Sequence, residues 1–295
     1  MTSDEARRER GTHVTLNASP LPNLIIIGAQ KCGTTSLHNY LQSHPDVSMA
    51  RVKETDFFLE HGNWAHGLDW YRSQFDSTTP VRGEGSPNYT NLPRSAGTAD
   101  RMHSVLPDAR LIYLVRDPVA RITSHYVHLR AAGVERRSFG AALSAPDNEY
   151  IGRSRYATQL EPFLRLFGPD RILVETHANL LHERRATLSR VFEFIEVDQS
   201  FESPEFERIW ETTQGKGRAY SMAFRVASRM KSRAGWLPQS VRWPVQRLLR
   251  SHLAGRPIAR PAYTEKDLEL VREALSPEVE HLRALTGLAL EGWLE

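Results

Sequence analysis

The stretch that decides the fold is Leu24-Ile25-Ile26-Ile27-Gly28-Ala29-Gln30-Lys31-Cys32-Gly33-Thr34-Thr35-Ser36. Its apolar half predicts a buried strand, and the residues from Ser36 to Gln42 predict a helix. The separation of Gly28 from Gly33 is that of a Walker phosphate-binding loop, but a Walker loop places its lysine after the second glycine, where this chain has Thr34. The lysine here is Lys31, inside the loop. The loop therefore predicts an anion site, and it suits a magnesium-bound triphosphate less well.

The composition is that of a globular protein. The chain has 295 residues, 25% of them charged, with a net charge of +3 and a single cysteine, Cys32. A lone cysteine excludes an intramolecular disulfide and favours a reducing, cytoplasmic location. Residues 1–19 are polar and lack the apolar core of a signal peptide, so we expect a disordered tail before a single domain over 20–295. No stretch reaches the ~18 consecutive apolar residues of a membrane-spanning helix.

Strand-like apolar runs alternate with helical stretches along the chain. The strands are expected at Leu24–Ala29, Val81–Gly85, Leu111–Val115 and Ile172–Glu175, and a helix is expected around Ala186–Ile195. This alternation predicts an α/β fold of P-loop-like, three-layer architecture, in which helices flank a central, mostly parallel sheet. Ligands of such folds bind at the carboxyl ends of the strands. Those ends carry Gly28–Ser36, Glu84–Tyr89 and Arg116–Pro118.

The segment Arg116-Asp117-Pro118 ends one of these strands and opens a helix. Pro118 suits the first helical turn, and Ser124 falls two turns into the helix. A guanidinium beside a serine hydroxyl can form a forked anion clamp. The alternative is that Arg116 pairs with Asp117 or with a neighbouring helix. A second anion site on the same sheet edge favours the clamp.

Taken together, these segments resemble the sulfotransferase family that uses 3′-phosphoadenosine 5′-phosphosulfate (PAPS), especially its heparan-sulfate-type and bacterial members. The resemblance runs from about Leu24 to Phe194. It implies an enzyme that transfers a sulfuryl group from PAPS to a hydroxyl, or less often an amine, of a small-molecule or carbohydrate acceptor. The product of the donor is adenosine 3′,5′-bisphosphate (PAP), and no metal is required.

The resemblance also assigns residues to the donor. The loop after the first strand holds the 5′-phosphosulfate, the later strand and helix hold the 3′-phosphate, and a late basic loop closes over the donor. The residues in these positions are Gln30, Lys31, Gly33, Thr34, Thr35, Ser36, Arg116, Ser124, Tyr156, Lys216, Gly217 and Arg218. Helix-start amides favour the anion, and a lysine beside the departing oxygen stabilises the transition state. We assign that catalytic role to Lys31, while Tyr156 also fits a core position on a helix from Arg155 to Phe167.

The general base is assigned by the same resemblance. The motif Lys53-Glu54-Thr55-Asp56-Phe57-Phe58 is similar to heparan-type enzymes, in which the glutamate takes the acceptor's proton, so Glu54 is the expected base. By itself the pattern also fits a surface charge cluster over a phenylalanine pair. Histidines remain alternative bases, since three lie in or near the site segments: His61, His66 and His125. Of these, His66 is next in line after Glu54. The chain departs from the heparan-type pattern at Gly85, where those enzymes carry a lysine.

Positive charge concentrates in residues 208–260, with twelve Lys or Arg residues against one acidic residue, Glu211. We expect this segment to form short helices and loops over the donor or acceptor site. Three roles are open for it: a solvated face, a docking surface for an anionic acceptor, and contact with a membrane surface. No motif supports nucleic-acid binding. Two other functions stay open: a P-loop small-molecule kinase that uses Asp117 for magnesium, and a catalytically inactive nucleotide-binding protein of the same fold.

Overall fold

The computed structural model of the chain describes residues 21–75, 78–146, 148–208, 210 and 258–295. The predicted tail over 1–19 and the predicted donor-closing residues Lys216, Gly217 and Arg218 lie outside the described residues, as does most of the basic segment. In this part of the chain the strands and helices are, in order, β1 (Leu24–Gly28), α1 (Thr34–Gln42), β2 (Val47–Met49), α2 (Gly67–Arg72), β3 (Val81–Gly85), α3 (Thr98–Val105), β4 (Arg110–Val115), α4 (Pro118–Ala131), α5 (Phe139–Leu143), α6 (Glu149–Gly152), α7 (Tyr156–Phe167), β5 (Ile172–Thr176), α8 (His177–His182), α9 (Arg184–Phe194) and α10 (Glu265–Thr286).

The five strands form one parallel sheet in the order β2-β3-β1-β4-β5. Strand β1 lies at its centre, where Ile25 pairs with Glu84 of β3 and with Leu111 of β4. Its side chains are at most 1% exposed, as expected for a central strand covered by helices on both faces. The predicted α/β architecture is confirmed. Strand β2 was not predicted, because three residues are too short to show a period.

The sheet order brings together the ends of three strands, β1 and its neighbours β3 and β4. After β3 the chain crosses to the other side of β1 to form β4, which makes a topological switch point where parallel sheets bind ligands. Backbone hydrogen bonds continue past the strand ends, from Ser86 N to Ile26 O at 3.1 Å and from Ala29 N to Leu114 O at 2.7 Å. The three segments singled out in the sequence therefore emerge side by side.

Gly28 allows β1 to end where it does. Its φ is 155°, and a Cβ at this position would lie 2.0 Å from Thr90 Oγ1. The Thr90 hydroxyl is held in place, because it donates to Ile27 O at 3.1 Å. Only glycine fits this approach of the backbone to a buried side chain.

The long helix α10 completes the described part of the fold. It begins with a capping box in which Thr264 and Asp267 satisfy each other's backbone amides. Glu278 of α10 accepts hydrogen bonds from the backbone amide and hydroxyl of Thr158 in α7, at 3.1 and 2.6 Å. Among the helices of the described ranges, none has the length and apolarity that crossing a bilayer would need.

We predict that Gly28→Ala lowers the free energy of unfolding by at least about 2 kcal/mol, because the added methyl overlaps Thr90 and the backbone angle is strained for alanine. The matched control is Gly152→Ala, since nothing lies within 4 Å of a Cβ added to this helical glycine. We expect the control to stay within about 1 kcal/mol of the wild type or to gain stability. Urea unfolding followed by circular dichroism measures both, and equal stabilities would contradict the prediction.

Candidate functional site

The loop between β1 and α1 presents backbone donors. Gly33 precedes α1 with a φ of 95°, and no described side chain caps the helix start. Lys31 also has a positive φ, 73°. The side-chain oxygen of Gln30 is buried without a hydrogen-bond partner among the described residues. Uncapped amides at a helix start favour an anion, so this loop has the features of a phosphate cradle.

The end of β4 is tied directly to this loop. Arg116 donates from Nη1 to the backbone oxygen of Lys31 at 3.3 Å. The hydroxyl of Tyr156 donates to the backbone oxygen of Arg116 at 2.8 Å, and it lies 3.6 Å from Cys32 Sγ. The structure thus brings Lys31, Arg116 and Tyr156 together. Tyr156 is only 1% exposed, which favours the alternative of a core residue that supports Arg116 from below.

Asp117 makes no close contact with Arg116 through its carboxylate, although its charge raises the pKa of Arg116 against the effect of burial. Its Oδ1 accepts from Ala120 N at 2.8 Å as the cap of α4, and its Oδ2 accepts from Leu294 N at 3.1 Å. No ion pair joins Arg116 to Asp117 in the described ranges. Partial burial lowers the pKa of the Arg116 guanidinium. Ser124 lies in α4 and is 9% exposed. The two residues of the predicted clamp, Arg116 and Ser124, therefore lie directly after β4 and in the helix that follows it.

Two further residues interact with the charge of Arg116: Arg260, which the sequence marked only as the end of the basic segment, and His177, which it did not single out. Burial has the largest effect on the pKa of Arg116 and lowers it; Cys32, Tyr156 and Asp117 oppose that fall, and the positive charge of Arg260 adds a smaller lowering. The ring of His177 packs on the phosphate loop, with Cδ2 only 3.1 Å from where a Cβ on Gly33 would stand. Burial, followed by the charge of Arg116, lowers the pKa of His177 to about 4, so its imidazole is neutral near pH 7. His177 is the first residue after β5, and its place at a strand end was the available signal.

A third residue, Arg121, was missed in the sequence and lies fully buried beneath the site. Its Nε donates to Ser154 Oγ at 2.6 Å and its Nη2 donates to Tyr150 O, while Nη1 has no partner among the described residues. No described carboxylate forms an ion pair with it. Its charge opposes the effect of burial, which raises the pKa of Cys32 in the phosphate loop. Arg121 therefore adds uncompensated positive charge below the loop.

The expected base lies at the end of the neighbouring strand. Glu54 forms an ion pair with Lys53 at 2.9 Å, and its side chain is 44% exposed. The backbone oxygen of Lys53 accepts from Gly85 N at the end of β3, at 3.3 Å. Phe57 and Phe58 are buried beneath, at 1% and 0% exposure. The segment therefore has the geometry of a surface ion pair, and it also presents Glu54 to solvent at the ligand-binding edge of the sheet.

The alternative histidines have different surroundings. His66 is exposed, with its ring 5.2 Å from that of Trp70. His125 is 1% exposed, and burial together with Arg121 lowers its pKa well below the usual value. A neutral, enclosed His125 does not suit an acceptor's base, so His66 stays the alternative.

Comparison with known proteins addresses the function directly. Residues 21–217, more than half of the chain, match the family described as sulfotransferase domain. The chain belongs to the sulfotransferase family. The resemblance noted in the sequence is thereby confirmed, and the segments that carried it are those that the structure gathers beside β1.

Individual relatives agree with the family. The chain is 41% identical to membrane-associated sulfotransferase kil1 of Dictyostelium discoideum over 111 residues, which cover 36% of this chain and 22% of that protein. It is 32% identical to heparan sulfate glucosamine 3-O-sulfotransferase 3A1 of Mus musculus over 206 residues, covering 65% and 51%. The chain spans about a fifth of the length of the first curated sulfotransferases that it matches.

The fold agrees with a solved sulfotransferase structure from Alicyclobacillus acidocaldarius. The TM-score is 0.66 at 23% identity, and the match covers 94% of this chain and 100% of the other. At this identity the similarity establishes the fold alone.

The lowered pKa of His177 predicts a loss of stability in acid. The pKa of His177 is about 4 in the folded chain, below the ordinary value that it takes in the unfolded chain. The folded state therefore keeps its full stability above the unfolded pKa and loses part of it as the pH falls toward 4. Between about pH 7.5 and about pH 5, His177 lowers the free energy of unfolding of the wild type by up to about 2 kcal/mol. His177→Gln should lose less stability over that interval in urea titrations, and His66→Gln, an exposed control, should follow the wild type. A His177→Gln curve parallel to the wild type would refute this.

Proposed function

We propose that the chain transfers the sulfuryl group of PAPS to an acceptor hydroxyl. The observation that carries the proposal is the pair of adjoining anion-binding positions at one sheet edge, the uncapped start of α1 and the guanidinium of Arg116. PAPS has a 5′-phosphosulfate and a separate 3′-phosphate, so a protein that binds it needs two such positions. The extra positive charge of Arg121 and Arg260 suits a donor of this high negative charge.

The residues divide between the two ends of the donor. For the 5′-phosphosulfate we propose Lys31, the amides that follow Gly33, and the hydroxyls of Thr34, Thr35 and Ser36. For the 3′-phosphate we propose Arg116 and Ser124, assisted by Arg260. A neutral His177 beside Gly33 fits this arrangement, because it lines the site without altering its charge. The predicted contacts of Lys216, Gly217 and Arg218 stay predictions.

The reaction needs a base and a cation. In the proposed step the Glu54 carboxylate takes the proton of the acceptor hydroxyl while its oxygen bonds to sulfur. The bond from sulfur to the 5′-phosphate oxygen breaks, and that oxygen keeps the electron pair and leaves with PAP. Lys31 stabilises the charge that develops there. In the described ranges no cluster of His, Cys, Asp or Glu could hold a metal ion, and the proposed step routes nothing through one.

For the acceptor we propose a carbohydrate. The support is the group of heparan sulfate sulfotransferases among the relatives, which by name include O- and N-sulfotransferases. An exposed Glu54 at the sheet edge is accessible to a polymer as well as to a small molecule. This chain has Gly85 where the heparan-type enzymes carry a lysine, so the alternative is an acceptor that is smaller or of a different shape. The cytoplasmic location stays a prediction.

The kinase alternative is weakened by Asp117. A magnesium ligand must offer a carboxylate oxygen to the metal, whereas both oxygens of Asp117 accept backbone hydrogen bonds here. Binding magnesium would uncap α4 and release Leu294. The position of Lys31 inside the loop, instead of after the second glycine, also argues against a kinase.

Thermal melts test the donor. PAP at about a hundred times its dissociation constant should stabilise the chain by ~2.7 kcal/mol, and magnesium-ATP should produce a smaller shift. Arg116→Ala should weaken PAP binding about 10- to 100-fold, because it removes charge-assisted hydrogen bonds to a phosphate. Arg165→Ala, which removes an exposed arginine on α7, is the control and should bind PAP normally. A shift with magnesium-ATP alone would overturn the proposed donor.

Glu54→Gln tests the base. We expect PAP binding to remain nearly intact and sulfuryl transfer to fall about 100-fold or more, because an amide cannot accept the acceptor's proton. Labelled PAPS measures transfer to a desulfated heparan polysaccharide and, in parallel, to a phenol. His66→Gln serves as the comparison and should retain most turnover. Near-normal transfer by Glu54→Gln, with loss in His66→Gln, would move the base to His66.

A further inference from the structure

Glu84, at the end of β3, is a fully buried carboxylate with four hydroxyl donors. Its Oε2 accepts from Thr55 Oγ1 and from Ser86 Oγ, the latter at 2.7 Å. Its Oε1 accepts from the hydroxyls of Tyr71 and Tyr89, each at 2.8 Å. Burial raises the pKa of Glu84, and the four hydroxyls oppose that rise. Such a network is costly to bury unless every member is satisfied, and here the carboxylate is saturated with donors.

Three of these hydroxyls also accept hydrogen bonds from consecutive backbone amides. Ser86 Oγ accepts from Asp56 N at 3.0 Å, Thr55 Oγ1 accepts from Phe57 N at 3.3 Å, and Tyr89 Oη accepts from Phe58 N at 3.4 Å. A hydroxyl has one proton, so giving it to Glu84 turns the lone pairs toward the amides. The carboxylate thereby sets the direction of all three bonds.

The amides belong to the segment that carries Glu54. Directly before Glu54, the backbone oxygen of Lys53 accepts from Gly85 N at 3.3 Å. Directly after it, Thr55 is 0% exposed and donates to Glu84. The backbone of this loop is therefore fastened on both sides of Glu54, while the Glu54 side chain itself is exposed and reaches Lys53.

We propose that Glu84 is the positioning residue for Glu54, acting through the hydroxyls of Thr55, Ser86 and Tyr89 on the amides of residues 56–58. This inference rests on the proposed function, because it takes Glu54 as the base. A base on an exposed loop must stay within hydrogen-bond reach of the acceptor, and small displacements of a catalytic group lower the rate steeply. Glu84 does not touch the substrates and contributes through the geometry of the loop.

Glu84→Gln reverses the direction of part of the network. The amide nitrogen donates where a carboxylate oxygen accepted, so the hydroxyls facing it must turn their protons toward the loop amides. We expect the loop amides whose hydroxyl acceptors face the new nitrogen, those of Asp56 and Phe57 on the Oε2 side or that of Phe58 on the Oε1 side, to exchange hydrogen at least about 10-fold faster than in the wild type. Ile26 in β1 should keep its rate. Exchange followed by NMR on the full chain without ligand measures this. Unchanged exchange at residues 56–58 would overturn the inference.

Turnover separates positioning from general stabilisation through a matched set of variants. Ser86→Ala and Tyr89→Phe each remove a bond to Glu84 and one to a loop amide, and Tyr89→Phe also removes a 3.3 Å contact with Thr55 Oγ1. In contrast, Tyr71→Phe removes only a bond to Glu84. We expect a fall in kcat of about 10-fold or more for the first two, with normal PAP melting shifts, and less than about twofold for Tyr71→Phe. Equal losses in all three would show a merely structural role and overturn the proposal.

These variants also cover a failure of Glu84→Gln to fold, because each keeps the carboxylate and loses a single hydroxyl. Failure of the proposed function looks different. If the wild-type chain transfers no sulfuryl group, or if Glu54→Gln turns over normally, the assignment of Glu54 as the base is wrong. The hydrogen-exchange result would then still report on the loop, but not on catalysis. Normal exchange in Glu84→Gln with an inactive Glu54→Gln would remove the positioning role alone.

Discussion

The position of β1 between β3 and β4 is the constraint on which the site depends. Because β1 is buried on both faces, its register is strongly specified, and the chain must leave the sheet at Gly28, where only glycine fits against Thr90. That exit starts the phosphate loop. The neighbouring strands end on either side of β1, β3 beside Ile26 and β4 beyond Gly28, so the segments that follow Gly85 and Val115 emerge on both sides of β1 without any element devoted to placing them.

Positive charge at this edge is unbalanced in the free protein. Arg121 is fully buried and Arg116 is partly buried, and neither forms an ion pair with a carboxylate in the described part of the chain; the charge of Arg260 adds a smaller effect on Arg116 than burial does. Removing guanidinium groups from water without pairing them costs free energy, which an anionic ligand offsets when it binds. His177 stays neutral in this field, since burial and Arg116 both disfavour its protonation. The site is thus arranged to gain stability from a multiply charged anion.

The sequence predicted the sheet, the phosphate loop and the Arg116 segment because each is local: an apolar run, a glycine spacing, a proline after an aspartate. What it missed depends on long-range contacts. Arg260 and His177 lie far along the chain from the phosphate loop. The sequence offered only weak signals for them: His177 directly follows a strand, and Arg260 ends the basic segment. For Tyr156 the sequence left open a place near the donor and a core position on its helix. Its burial against the backbone of Arg116 follows from packing between α7 and β4, which periodicity does not reveal.

Glu54 and Glu84 show how environment separates two carboxylates that lie near one strand end. Glu84 is enclosed and accepts four hydroxyl bonds, so it has no lone pair for a substrate. Glu54 is exposed and pairs with the flexible side chain of Lys53, so its carboxylate oxygens are accessible to an acceptor. Groups whose surroundings differ in this way take different roles. The proposed base lies on an exposed loop. In the proposed arrangement the buried carboxylate of Glu84, at the end of a central strand, holds the backbone of that loop through the hydroxyls of Thr55, Ser86 and Tyr89.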